Sequence, residues 1–414
     1  MTFKPITVTV WRRTMITALT PARRAMLSLL SYELFRLAPK AEDGTDWADV
    51  LREGERHAVS ALLYTGMKKI GSVPENLLDA ACETAATSSQ MSEYMLGQQH
   101  EIIDLLEKAH IPCAILKGTS VACLYPHPEL RVPGDIDILT EEGRVDEACT
   151  LLKSAGFAFT HDAQKHCCFE KQGVSVEMHR MVAVFPDTEK GKFAGQLMQQ
   201  ALHHTASVRL GGFTFPVLTG KYQLIALLAH MEQHLTSGGI GLRQLCDWAV
   251  TVNALRSEID DGMTALWAQC GLLNFAEIVT KICEKYLGLL TFSWTADADE
   301  ALADALMQDI LEGGNFRSQD SQRPFGGVLT DAYNVDNSAK TSTLHSYFQY
   351  IRKRIGYDYP WAKGPFWLLV FGIFYPARWT VRMLLGKRKK FSVKQALSSA
   401  REREKLLRQL NLYK

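Results

Sequence analysis

No two of the nine cysteines stand in a C-x-x-C spacing, their number is odd, and Cys167 and Cys168 are adjacent. That excludes the common zinc-ribbon and thioredoxin-type patterns and argues for reduced thiols rather than a disulfide framework. Long apolar runs are missing too. The longest, FWLLVFGIFY at 366–375, falls well short of the ~20 residues needed to span a bilayer. The early stretch TMITALTPARRAMLSLL is too interrupted for a signal-peptide core. There is no internal repeat, no low-complexity tract and no recognised nucleic-acid reader motif. These features lead us to expect a cytoplasmic protein.

Net charge is scarce, at +1, but its distribution is uneven. Residues 351–414 hold 16 Lys+Arg against 3 Asp+Glu, and the preceding 350 residues hold 30 against 42. A basic tail of this kind predicts an anionic partner. Its aromatic run leads into Arg378, Arg382 and Lys387–Lys390, which fits an interfacial, membrane-peripheral segment. It fits equally a core helix over 366–385 with a solvated basic end, the reading preferred here. Nucleic acid remains a further option for the tail. REREKLLRQLNLYK reads as an amphipathic helix with Leu406, Leu407 and Leu410 on one side.

The remaining composition, 47% hydrophobic and 22% charged, is that of an ordinary globular protein. Residues 21–110 carry helical periodicity. CAILK (113–117) reads as a short strand, GTSVACLY (118–125) as a helix entered through Gly118, and PHPELRVPG as a loop. DIDILT (135–140) alternates acid and isoleucine as a strand does, and 144–157 reads as a helix. HCCFEK and VSVEMHR form a hairpin about Gln172–Gly173, and 204–217 a second one about Gly211–Gly212. After Thr219 the chain is almost wholly helical. The expected fold is α+β: a small mixed-sheet core (88–218) flanked by an N-terminal helical segment (1–87), a helical domain (219–350) and the basic helical C-terminal segment (351–414).

The alternation in DIDILT sends Asp135 and Asp137 to one face and Ile136 and Ile138 to the core. Two carboxylates so placed repel unless a cation sits between them, and Mg²⁺ suits one or two carboxylates plus substrate phosphates. A glycine turn at a strand end can hold a phosphate. Gly118 permits close approach, Thr119 and Ser120 offer hydroxyls, and Lys117 adds charge. Glu177 and His179 share one face of the VSVEMHR strand, so Glu177 is a third acid. His179 would contact substrate or cap the strand. Arg131 is either a triphosphate ligand or a surface-loop cation. His230 and His234 stand at i, i+4 in HMEQH, which is not the H-E-x-x-H of zinc proteases. They read as packing or cleft residues in preference to a zinc pair. Arg243 and Asp247 read as a structural ion pair.

The segments LKG, LYPHPELRVPGDIDIL and VSVEMHR together resemble the nucleotidyltransferase superfamily, and more narrowly its bacterial group of uncharacterised nucleotidyltransferase-like proteins. The downstream LLAHMEQHL and GIGLRQLCDWA resemble that group too, so the likeness covers roughly 100–250. It implies that Gly118 and Thr119 or Ser120 form the phosphate turn, that Asp135 and Asp137 are the metal pair, and that Glu177 is the third acid, where Asp is the usual residue. Asp135, Asp137 and Glu177 would be both metal ligands and catalytic groups, with Lys117, Gly118, Thr119, Ser120 and Arg131 on the nucleotide. The implied activity is Mg²⁺- or Mn²⁺-dependent transfer of an NMP from an NTP to a hydroxyl or phosphate. The acceptor (small molecule, glycan, protein or RNA) is left open. Alternatives of other classes are a catalytically silent nucleotide-binding or scaffold protein and a peripheral membrane adaptor.

Overall fold

The computed structural model describes residues 19–237, 239–315, 364–384 and 405–414, with residues 351, 352, 355, 362 and 403. The expected basic block Lys387–Lys390 lies outside them.

Four helices come first: α1 (Pro21–Phe35), α2 (Trp47–Arg56), α3 (Ser60–Met67) and α4 (Glu75–Lys108). Local chemistry sets their starts. Thr20 accepts a hydrogen bond from the Arg23 amide at the head of α1, and Asp46 accepts from Asp49 at the head of α2. Helix α4 runs through residue 87, so the expected segment boundary there lies inside a continuous helix.

Next come β1 (Cys113–Ile115), α5 (Thr119–Ala122), β2 (Ile136–Thr140), α6 (Val145–Ser154), β3 (Ala158–Asp162), β4 (His166–Lys171), β5 (Val174–His179), α7 (Glu189–Met198), β6 (Thr205–Leu210) and β7 (Phe213–Leu218). The seven strands form one sheet in the order β3-β4-β5-β2-β1-β7-β6. The pairs β2–β5 and β1–β7 are parallel and the others antiparallel, which makes the sheet mixed. The fold is α+β, with helices flanking the sheet.

Both expected hairpins form, each on a two-residue turn. Gly211 and Gly212 both take positive φ (57° and 85°), the geometry that matches strand twist and that glycine adopts without strain. The strand β3 carried no sequence signal. All five of its residues are exposed, and it forms by pairing with the edge of β4.

One face of the sheet buries Ile136, Ile138, Val176, Met178, Phe215 and Val217 against Ile102, Ile103 and Leu106 of α4 and Leu152 of α6. Period-two alternation then turns Asp137, Glu177 and His179 to the other face. There lie α8 (Gly220–Ser237) and α9 (Leu242–Ala254), followed by α10 (Asp261–Cys270), α11 (Leu273–Ile282) and α12 (Glu300–Gly313). These helices share one core with α1–α3 and with Leu406, Leu407, Leu410, Leu412 and Tyr413. The last ten residues are thus docked: the Tyr413 amide donates to the Gly271 carbonyl (2.8 Å), and Asn274 donates to the Gln409 carbonyl (3.0 Å).

The helix Pro365–Leu384 departs from the core-helix expectation. One face, with Phe371, Trp367 and Tyr375, packs on a small cluster with Ile351, Ile355 and Ala362. The other leaves Phe366 (67%), Leu369 (61%), Val370, Ile373 (73%) and Phe374 exposed. No helix among the described residues is long and apolar enough to cross a membrane.

Candidate active site

The face of the sheet turned away from α4 and α6 opens into a cleft of about 460 Å³, walled by α8 and α9. Asp135, Asp137 and Glu177 all line it, with Lys117, Gly118 and Arg131. Parallel pairing sets Asp137 beside Glu177 and Leu139 beside His179. Asp135 lies one residue before β2, not in it, and opens to the cleft.

Asp137 is almost fully buried (1% exposed), and it is not left to repel its neighbour. Its Oδ1 accepts from Lys117 Nζ (3.1 Å) and from His179 Nε2 (3.1 Å). The same His179 Nε2 lies 3.1 Å from Glu177 Oε2, so one imidazole N–H bridges the two carboxylates. His179 is consequently shifted up: burial alone would lower it, but Asp137 and Glu177 outweigh burial. Burial likewise opposes ionisation of Asp137, yet Lys117 and His179 bring its carboxyl below the usual range. Glu177 is held well below that range by His166 and His179, again against burial. Asp135 goes the other way, raised by burial and then by the charge of Asp137.

Gly118 takes a φ of 66°, which disfavours side chains with a Cβ, and a Cβ there would meet only open space, so the floor of the cleft is bare backbone. The rest of the expected phosphate turn differs. The helix after it spans four residues, not eight. Thr119 and Ser120 are buried: Thr119 donates to Gln99 Oε1 (3.0 Å) and Ser120 accepts from Gln223 (3.1 Å), and neither lines the cleft. Arg131 is not a loop cation. It is buried and holds Asp247 through two hydrogen bonds (2.7 and 2.8 Å), while Tyr125 Oη donates to the same carboxylate (2.7 Å). Asp247 therefore pairs with Arg131 where the sequence suggested Arg243. Arg243 instead reaches the cleft beside Gly134.

Nothing in the sequence singled out Lys165 or His166, and Arg243 was assigned elsewhere. Lys165 lines the cleft, its pKa lowered by burial against the pull of Glu177. His166 faces His179 across β4–β5. That pairing was legible, because counting outward from a two-residue turn at Gln172–Gly173 puts 166 opposite 179 and 168 opposite 177.

His230 and His234 line the cleft. Burial and the neighbouring Lys117 lower both, His234 to about 3. Their Nε2 atoms are 2.8 Å apart, and Lys117 Nζ is 3.1 Å from that of His230. An ammonium can only donate, so His230 Nε2 is the acceptor and His234 carries its proton on Nε2. His57, fully buried near Arg56, is also lowered to about 3, chiefly by burial. For each of these bases the unfolded chain binds a proton near pH 6.5 that the fold refuses. Stability is therefore intact above pH 6.5 and lost as pH falls below it, at most about 1.4 kcal/mol per pH unit for each histidine. Glu232, which burial raises to about 7, offsets one of the three over the same range, so the melting temperature should drop between pH 6.5 and 5 with the net of two histidines, and less in His234→Asn. A flat profile in the parent would mean these histidines are not held neutral.

The residues suit a hard divalent cation. Asp137 Oδ2 is buried without a hydrogen-bond partner among the described residues, and Asp135 opens to the same cleft, so two carboxylates supply oxygen donors. A mixed sheet carrying carboxylates on adjacent strands, above a cleft that also holds Lys117, Lys165 and Arg243, defines a nucleotidyltransferase-like protein. The family model of the uncharacterised nucleotidyltransferases matches residues 43–288, and the chain belongs to that family. No curated protein and no solved structure matches it.

Proposed function

We propose that the protein transfers an NMP from an NTP, with Mg²⁺ or Mn²⁺, to a hydroxyl or phosphate of an acceptor. The observation that carries this is the convergence of Asp135, Asp137 and Glu177 on one cleft, with Asp137 fixed beside Glu177 by strand register. Asp135 and Asp137 would hold the cation. When bound, it neutralises triphosphate charge and stabilises the entering and leaving oxygens. Lys117, Lys165 and Arg243 supply further positive charge to the phosphates, and Gly118 lets them approach the backbone. Arg131 acts through Asp247, fixing the loop that ends at Asp135. The acceptor oxygen bonds to the α-phosphorus, the bond from that phosphorus to the bridging oxygen breaks, and pyrophosphate leaves with the electron pair. Glu177, kept ionised by its two histidines, orients the acceptor's hydroxyl by accepting its hydrogen bond, and the proton released on attack passes to solvent. Incubation with each α-labelled NTP, either metal and a cell lysate tests this. Label should appear in an acceptor, dependent on Asp137, and no label with any nucleotide would leave a silent nucleotide-binding protein as the better reading.

A membrane-peripheral role is supported by a separate observation. The exposed stripe Phe366, Leu369, Val370, Ile373 and Phe374 follows helical spacing within a segment rich in Lys and Arg. An apolar face flanked by cations matches an anionic lipid surface, where each Lys or Arg adds about 1 kcal/mol. The protein should float with anionic liposomes at low salt and not with neutral ones, and the double change Phe366→Ser with Ile373→Ser should weaken flotation. Equal absence from both liposome types removes this role.

A further inference from the structure

Beside the cleft, three donor atoms converge that the transfer chemistry does not require as a group. His166 Nδ1 and His179 Nε2 each lie 3.1 Å from Glu177 Oε2, and the three atoms are all within 4.8 Å of one another. The two rings stand edge to face, with centroids 4.9 Å apart. Both are more than nine-tenths buried, at 8% and 1% exposure.

One contact is unexplained as a hydrogen bond. His166 Nδ1 is buried and has no hydrogen-bond partner among the described residues, although it lies 3.1 Å from Glu177 Oε2. A buried imidazole nitrogen that makes no hydrogen bond and lies beside a carboxylate is available to a cation as a ligand. Zinc binds imidazole nitrogen and carboxylate oxygen at about 2.0–2.2 Å, which separates tetrahedral ligands by about 3.4 Å. The observed separations need little adjustment to meet that.

We propose that His166, His179 and Glu177 form a binding site for a borderline divalent transition cation such as Zn²⁺, distinct from the Asp135–Asp137 position. Two imidazoles with one carboxylate favour such a cation over Mg²⁺, which prefers oxygen alone. Strand register builds the site: β4 and β5 set His166 opposite His179, and alternation puts Glu177 two residues from His179 on the same face. The cation takes the place of the proton on His179 Nε2, which is released, and it fixes Glu177 through one oxygen while leaving the other for the cleft. The glutamate side chain is long enough to serve both. A competing set, His161, His166 and Cys168, shares His166. It is the poorer one, because His161 is exposed, whereas both imidazoles of the proposed site are buried.

The inference shares Glu177 with the proposed transfer reaction, but its test uses no nucleotide, so either can fail alone. Full-length protein without a His-tag is equilibrated with Zn²⁺ or Co²⁺ under excess Mg²⁺, then desalted and analysed for metal. About one cation per chain should remain in the parent and in Cys168→Ser, and His166→Ala and His179→Gln should weaken binding at least about 100-fold. Melting curves establish that the variants fold. The visible spectrum of the Co²⁺-loaded parent needs no variant and should show nitrogen and oxygen ligation without a thiolate charge-transfer band. No cation retained against Mg²⁺, a thiolate band, or loss in Cys168→Ser with retention in His179→Gln would each overturn the site.

Discussion

Asp137→Asn is expected to lower nucleotidyl transfer about 10³-fold, the scale of losing a group that stabilises charge in the transition state. The same change should lower the melting temperature of the protein without nucleotide. From the sequence, Asp135 and Asp137 read as a repelling pair, so neutralising either should stabilise the metal-free fold. The structure divides them. Asp137 is the buried counter-charge for Lys117 and the acceptor for His179, and removing one member of such a group leaves the others uncompensated, at about 3–5 kcal/mol. The asparagine carbonyl of the variant can still accept hydrogen bonds from Lys117 and His179, which places the expectation at the low end. Asp135 opens to the cleft and is raised by burial and by the charge of Asp137, so Asp135→Asn should lose transfer while its melting temperature holds or rises. Thermal melts of both variants, with pyrophosphate release, check the split. An unchanged or higher melting temperature in Asp137→Asn would mean the Lys117–Asp137–His179 group does not hold in solution.

Deleting residues 405–414 is expected to unfold the helical half, although this stretch lies in the segment that the sequence marks as a basic tail. Leu406, Leu407, Leu410, Leu412 and Tyr413 are all buried in the core shared by α1–α3 and α8–α12. Each large apolar side chain withdrawn from water contributes about 1.5–3 kcal/mol, and a domain's whole stability is about 5–15 kcal/mol. The loss therefore rivals the total. Circular dichroism melts and soluble yield of a chain ending at residue 404 test this. A truncated protein that melts like the parent would show that these leucines do not pack as described.

Much of the sheet was legible because its signals are local. Alternation marked β2 and β5, and dipeptide turns marked both hairpins. Strand β3 was not, since its five exposed residues have no buried face to pattern and depend on the edge of β4. Asp135, Asp137 and Glu177 could be read because acids within apolar strands need a reason. The fates of Thr119, Ser120 and Arg131 depended on partners 20, 103 and 116 residues away, which no local spacing encodes. Lys165 and Arg243 reach the cleft only through tertiary packing. The aromatic run at 366–375 has helical spacing on both faces, so composition alone could not say which face is buried.

The most direct test of the metal–nucleotide cleft is calorimetric titration of the parent with non-hydrolysable α,β-methylene NTPs, with Mg²⁺, with Mn²⁺, and with neither. The expected result is saturable binding that requires the metal and disappears in Asp137→Asn. Binding of no NTP under either metal, or equal binding by Asp137→Asn, would contradict it.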